Sequence, residues 1–273
     1  MKKDRLTVRE KFENQLNLLS KFPFLSLLLI GIGAITIRLV FFQDELIFKS
    51  DNLHYFKYAV DLSITGESPI ILKNDGWSQF LSIFFKFLNS ENFLDYMNLQ
   101  SYISIVFSTS TIIPLYFLAK RFTNSLIALI STILFVFDPR IIANSLIGVT
   151  DPLFILLVVT SLALIVQKNK FIIYGACITI GLACIVRSEG LFLIPVLCIM
   201  FLIKNKITKI NIIQCIIFII IIYLILLPFS MQRIESTGND FLVSRIIVSS
   251  SNFSEQTQND PNLIFSKIVN SVY

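Results

Sequence analysis

Residues 210–231 run for 22 positions without a single charged side chain and are dominated by Ile, Leu and Phe. A helix needs about 20 such residues to cross the ~30 Å hydrocarbon core of a bilayer. A helix that is apolar on every side has no solvated face to offer water, so it belongs in a membrane. Six more segments have the same character: Phe22–Phe42, Gln100–Ala119, Phe122–Phe137, Pro152–Val166, Phe171–Val186 and Gly190–Ile203. The whole chain agrees, being 55% hydrophobic and 15% charged, where soluble domains have roughly 45–50% and about 25%. Disorder is excluded too, because 26 Phe among long Ile/Leu runs cannot stay solvated. The expected fold is an all-α polytopic transmembrane bundle of about seven spans.

The charges orient that bundle. With the N-terminus in the cytoplasm, segments 1–21, 120–121, 167–170 and 203–209 lie inside and carry 13 Lys/Arg against 3 Asp/Glu. Segments 43–99, 138–151, 187–189 and 232–273 lie outside and carry 9 against 15. By the positive-inside rule the chain sits in the cell membrane with its N-terminus cytoplasmic and its C-terminus extracytoplasmic. The net charge of +5 is then a matter of topology, and no nucleic-acid partner is expected. The first helix follows a 21-residue polar stretch and lacks a small-x-small cleavage site, so it reads as an anchor. Cys177, Cys184, Cys198 and Cys215 all fall within expected spans and read as packing residues. One His gives no basis for a His-built zinc site.

The connections are unequal. Inner ones have a few residues, whereas the first outer loop runs from 43 to 99, which points to work done on the outer face. In that loop Asp51, Tyr55 and Ala59 share one helical face, and Ser50 or Asp51 also suits a helix N-cap. Farther on, Trp77–Leu88 separates Ser78, Ser82, Lys86 and Asn89 from Trp77, Leu81, Phe84, Phe85 and Leu88. That pattern predicts a helix lying in the membrane surface with Trp77 at headgroup level, or one packed on the bundle. Three polar points mark the outer ends of spans: Asp138-Pro139-Arg140, Thr150-Asp151-Pro152 and Arg187-Ser188-Glu189-Gly190. Asp151 before Pro152 suits the positive end of a helix dipole, and Arg140 and Arg187 also suit interfacial anchors.

Outside the cytoplasm nucleotide-activated donors are scarce, and no G-x-x-x-x-G-K-[ST] or G-x-G-x-x-G phosphate loop is present. An activated donor must then come from the membrane lipid, and a sugar on a polyprenyl phosphate meets that need. Its transfer requires a carboxylate to take the acceptor's proton and an Arg to receive the departing phosphate. Asp51 with Arg140 or Arg187 supplies that minimum.

The order of these features resembles the GT-C superfamily of integral membrane glycosyltransferases, in particular the protein mannosyltransferases and lipid A aminoarabinose transferases. The resemblance rests on Arg38-Leu39, then Asp51, Tyr55, Ala59 and Gly66, the helix from Gly76 to Leu88, Pro139, Asp151 before Leu153-Phe154, and Gly181-Leu182, Arg187 and Gly190-Leu191. It covers roughly residues 30–205. It implies an inverting hexosyl or mannosyl transfer with Asp51 as the catalytic residue, either the general base or the group that binds metal or acceptor. Arg187, Arg140, Asp151, Tyr55 and Glu189 are then the substrate-binding residues, with a protein, lipid or glycan as acceptor. Many relatives have Asp-Glu where this chain has Asp51-Asn52. Oligosaccharyltransferase relatives hold a divalent cation on outer carboxylates, for which Asp51, Asp138 and Asp151 stand here. Protein mannosyltransferases work without one, so the metal stays open and no other cofactor is expected.

The expected domains are a transmembrane core at 1–231 and an extracytoplasmic segment at 232–273 with one sequon, Asn252-Phe253-Ser254. Relatives usually continue with more helices, so this chain reads as their N-terminal seven-helix core. A truncated non-catalytic relative, acting as an assembly or lipid-binding partner, is the rival reading. A transporter would need midplane carboxylates that the spans do not offer.

Overall fold

The computed structural model describes residues 22–43, 51–66, 76–88, 90–167 and 169–237. The basic segment 1–21 and the stretch 238–273 with its sequon lie outside the described residues. The chain divides into two compact units, Met1–Leu226 and Leu227–Tyr273; of the second, the described part is the end of one helix.

Among the described residues the chain is helical throughout, with no strand. Helix α1, Pro23–Val40, opens with proline at its first turn, where the missing N–H costs nothing. Leu25, Leu28, Leu29 and Ile32 on α1 are exposed, as expected where the surroundings are lipid tails rather than water. Helix α4, Phe93–Ser110, begins at the side-chain cap of Asn92, and α5, Ile112–Phe122, follows after Thr111. Pro114 has no N–H to donate to the Ser110 carbonyl four residues back, so the ladder breaks there while the chain continues in one apolar stretch. Helix α6, Ser125–Val136, is capped by Asn124, and α7, Pro139–Leu146, leaves it at 51°. Asp138 causes the restart: its carboxylate accepts the backbone N–H groups of Arg140 and Ile141 while Pro139 fills the first helical position.

Helices α8, Asp151–Ile165, and α9, Lys170–Val186, pack extensively on each other. A 3₁₀ turn, Ser188–Phe192, then leads into α10, Leu193–Asn205, and α11 runs from Lys209 to Thr237 with Pro228 inside it. All seven expected spans are helical, but their lengths differ. Among the described residues four stretches are long and apolar enough to cross: α1, α4 with α5, the 3₁₀ turn with α10, and α11 as far as Met231. The bent pair α6–α7 adds a fifth if its two helices form one span. At 15 and 17 residues α8 and α9 reach about 22 and 26 Å, short of the ~30 Å core. The chain is a multi-pass helical membrane protein.

The first loop carries two helices, α2, Asp51–Thr65, and α3, Gly76–Phe85, packed on each other. Phe56, Ala59 and Val60 of α2 meet Trp77, Leu81 and Phe85 of α3 in one buried cluster with Met97, Leu153 and Val186. Of the two arrangements expected for this helix the packed one is found: Trp77 is fully buried rather than at headgroup level, and Ser78 and Ser82 are buried with it. The serine hydroxyls are satisfied by the carbonyls of Tyr55 and Gln79, which lets a small polar face point inward. Ile83, Phe84 and Phe87 are the exposed side. At the start of α3 the backbone touches α9: a Cβ on Gly76 would lie 2.5 Å from the Ile185 carbonyl oxygen. Gly76→Ala is therefore expected to lower stability by about 1–3 kcal/mol, read as an earlier thermal transition in detergent.

Arg38 of α1 is completely buried. Its Nε donates to Ser145 Oγ at 3.0 Å, Nη1 to the Ala34 carbonyl at 3.1 Å, and Nη2 to Ser108 Oγ at 2.9 Å and the Val136 carbonyl at 3.2 Å. All four acceptors are neutral. Val136 ends α6, so its carbonyl has no helical partner and Arg38 takes that place. One guanidinium thus joins α1, α4, α6 and α7.

Candidate functional site

The site is built where α8 begins. Asp151 occupies the first turn of α8, where the helix dipole favours a carboxylate. Its Oδ2 accepts from Asn144 Nδ2 of α7 at 2.9 Å, and its Oδ1 accepts from Nη1 of Arg187, with which it forms an ion pair. Arg187 sits where α9 gives way to the 3₁₀ turn, its backbone extended at φ −147°. Nη2 reaches Glu189 Oε1 at 3.4 Å, and Cζ stands 5.6 Å from the ring centre of Phe154. Among the described residues Arg187 Nε is buried without a hydrogen-bond partner. The side chains of Arg187 and Asp151 are 30% and 29% exposed. An ion pair this open contributes only about 0–1 kcal/mol to stability. Holding the fold together is therefore a weak reason for an arginine between two carboxylates and an aromatic ring.

The turn from α7 to α8 is fixed from three sides. Asn52 Nδ2 of α2 donates to the Ile147 carbonyl at 3.1 Å. The Gly148 carbonyl accepts from Trp77 Nε1 of α3 at 3.0 Å and from Gln100 Nε2 of α4 at 2.7 Å. Gly148 has φ +66°, a left-handed conformation that glycine adopts without steric cost. The first loop is thereby tied to the residues that launch Asp151. Below the turn, Ser108, Thr111, Asn144 and Asp151 line a cavity of about 10 Å³, the size of one water. Phe135, Ile141, Pro152 and Ile155 complete its wall, and because Ser108 is also an acceptor for Arg38, the buried cation of α1 and Asp151 flank the same small cavity.

The residues expected to form the site are distributed as follows. Arg187, Asp151 and Glu189 meet directly. Asp51 is exposed at the first position of α2, next to the Asn52 that bonds to Ile147. Tyr55 is half-buried one turn on, packed against the α2–α3 cluster, and its carbonyl accepts from Ser78. Arg140 is exposed in the first turn of α7 and forms no ion pair among the described residues. Asp138 is committed to capping α7. Among the described residues no three His, Cys, Asp or Glu side chains gather as a metal site, so Asp51, Asp138 and Asp151 do not fit a shared cation.

Four contributors escaped the reading of the sequence: Asn52, Asn144, Phe154 and the bonds of Arg38. Asn144 had a usable signal, since Asp138-Pro139 is a cap followed by a first-turn proline. A helix started there puts Asn144 near the start of α8.

A family model described as "Predicted membrane protein (DUF2079)" matches residues 96–272. No curated protein matches the chain.

Proposed function

The chain belongs to the DUF2079 family of membrane proteins, and on that premise we propose that it is a membrane glycosyltransferase of GT-C type. It takes a sugar from a polyprenyl-phosphate donor and passes it to a hydroxyl acceptor on the extracytoplasmic face. The observation that carries this reading is the Arg187 guanidinium, held over Phe154 between Glu189 and Asp151, the residue that follows the turn on which the first loop is docked. The acceptor oxygen forms a bond to the anomeric carbon as the bond from that carbon to the phosphate oxygen breaks. The phosphate departs with the electron pair, and the acceptor proton goes to a carboxylate, for which Asp51 is the choice. A guanidinium is suited to the phosphate because it offers paired charge-assisted hydrogen bonds in a fixed fork. Asp151 and Asn144 act as positioning residues that hold the fork from one side. The surplus of basic residues on the opposite connections supports an extracytoplasmic placement of this end.

The test is transfer of radiolabelled sugar from a panel of polyprenyl-phosphate donors in membranes containing the full chain. Arg187→Met is expected to lower transfer by about 10²–10³-fold, the usual loss when one donor to a developing anion is removed. Glu189→Gln, which leaves Asp151 in place, should change it by less than about tenfold. Absence of transfer from every donor would turn the reading towards a non-catalytic membrane partner.

A further inference from the structure

At the other end of α8 the chain carries a second recess, unrelated to the Asp151–Arg187 pair. It has a volume of about 380 Å³ and is lined by Arg121 and Phe122 of α5, Ile165 of α8, and Met200, Ile203 and Lys204 of α10. Asp151 and Ile165 are the first and last residues of α8, so about 21 Å of helix separates this recess from the candidate site. Its size lies in the usual range of about 300–1,000 Å³ for small-ligand pockets.

Its chemistry is two-sided. Arg121 is exposed, and Lys204 is half-buried with Nζ donating to the carbonyls of Ile165 and Gln167. No carboxylate belongs to the lining. Two cations facing one recess repel each other unless an anion lies between them. Apolar side chains supply the rest of the wall, and Phe122 and Ile203 are 70% and 78% exposed. A soluble anion has no use for such walls, whereas acyl chains do. Basic recesses between spanning helices on the cytoplasmic side hold anionic headgroups, and the charge distribution assigns this end to the cytoplasm.

We propose that this recess binds one anionic phospholipid, with its headgroup phosphate on Arg121 and Lys204 and its chains along Phe122, Met200 and Ile203. The lipid closes the junction of α5, α8 and α10. Its binding does not depend on the catalytic reading.

The experiment is native mass spectrometry of the full chain, delipidated in neutral detergent and offered phosphatidylglycerol or phosphatidylcholine. Wild type is expected to retain one phosphatidylglycerol in preference to phosphatidylcholine. Arg121→Gln and Lys204→Gln should each reduce that retention about fivefold, leaving phosphatidylcholine unaffected. Lys204 also fastens the end of α8. If Lys204→Gln fails to fold, Arg121→Gln carries the test, because Arg121 is exposed. Equal retention of the two lipids by wild type would overturn the proposal, as would undiminished phosphatidylglycerol retention in Arg121→Gln. Displacement of the lipid by millimolar inorganic phosphate would also overturn it, since the recess would then be reading free phosphate.

Discussion

Asp51→Asn is expected to reduce sugar transfer by about 10²–10⁴-fold, the range assigned to a general base, while leaving the chain inserted and folded. The substitution separates two roles that the sequence leaves superposed. Asp51 stands at the first position of α2, where a side-chain oxygen can serve the exposed N–H groups of the first turn. Asn serves a helix start about as well as Asp does, so α2 keeps its start and Asn52 its bond to Ile147. What Asn cannot do is take a proton from an acceptor hydroxyl. A variant with an unchanged melting temperature, normal donor binding and no turnover would identify Asp51 as the base. Retained turnover would reduce it to a helix start and move the search to Asp151 and Glu189.

Arg38→Ala is expected to be the most damaging single change to the fold itself. It removes the bonds to Ser108 Oγ, Ser145 Oγ and the Val136 carbonyl, which lie on three different helices, and leaves Ser145 only its own bond to the Ile142 carbonyl. At about 1 kcal/mol for each bond between helices in a membrane, the loss is on the order of 3 kcal/mol before the vacated volume is counted. The measurement is the thermal transition in detergent together with the fraction surviving as a monodisperse peak. Arg38→Lys should recover part of it, since one ammonium keeps the charge but cannot span all four acceptors. A melting temperature unchanged in Arg38→Ala would show that the four helices pack without this tie. Ser108 also lines the cavity beside Asp151, so transfer activity should fall more steeply than stability.

Several parts of this structure were legible in the residues alone. Hydropathy suffices for α1 and α11 because their apolar runs match the bilayer. The meeting of Asp151 and Arg187, 36 positions apart, was foreshadowed by two apolar segments of similar length joined by a short turn. A 15-residue helix followed by a 17-residue one returns the chain to its starting level. The inward serines of α3 were not legible. Periodicity treats a hydroxyl as outward-facing, yet Ser78 and Ser82 are buried because backbone carbonyls stand ready to accept from them. Helix α7 was hidden for a different cause: with eight residues, Arg140 and Asn144 among them, its hydropathy resembles a loop. Arg140 reads the same in sequence as Arg187. Only the fold separates them, by giving one a carboxylate pair and leaving the other in solvent or headgroups.

Trp77 is the chain's one tryptophan, and its indole N–H is held by the same Gly148 carbonyl that Gln100 holds. Tryptophan emission, excited at wavelengths the eight tyrosines do not absorb, is therefore a signal from a single place, the seat of the first loop on the turn before Asp151. A seated indole in an apolar cluster emits to the blue of one in water. The colour of the emission thus reports, with no label attached, whether the loop bearing Asp51 is docked beside Asp151 and Arg187 or has lifted away.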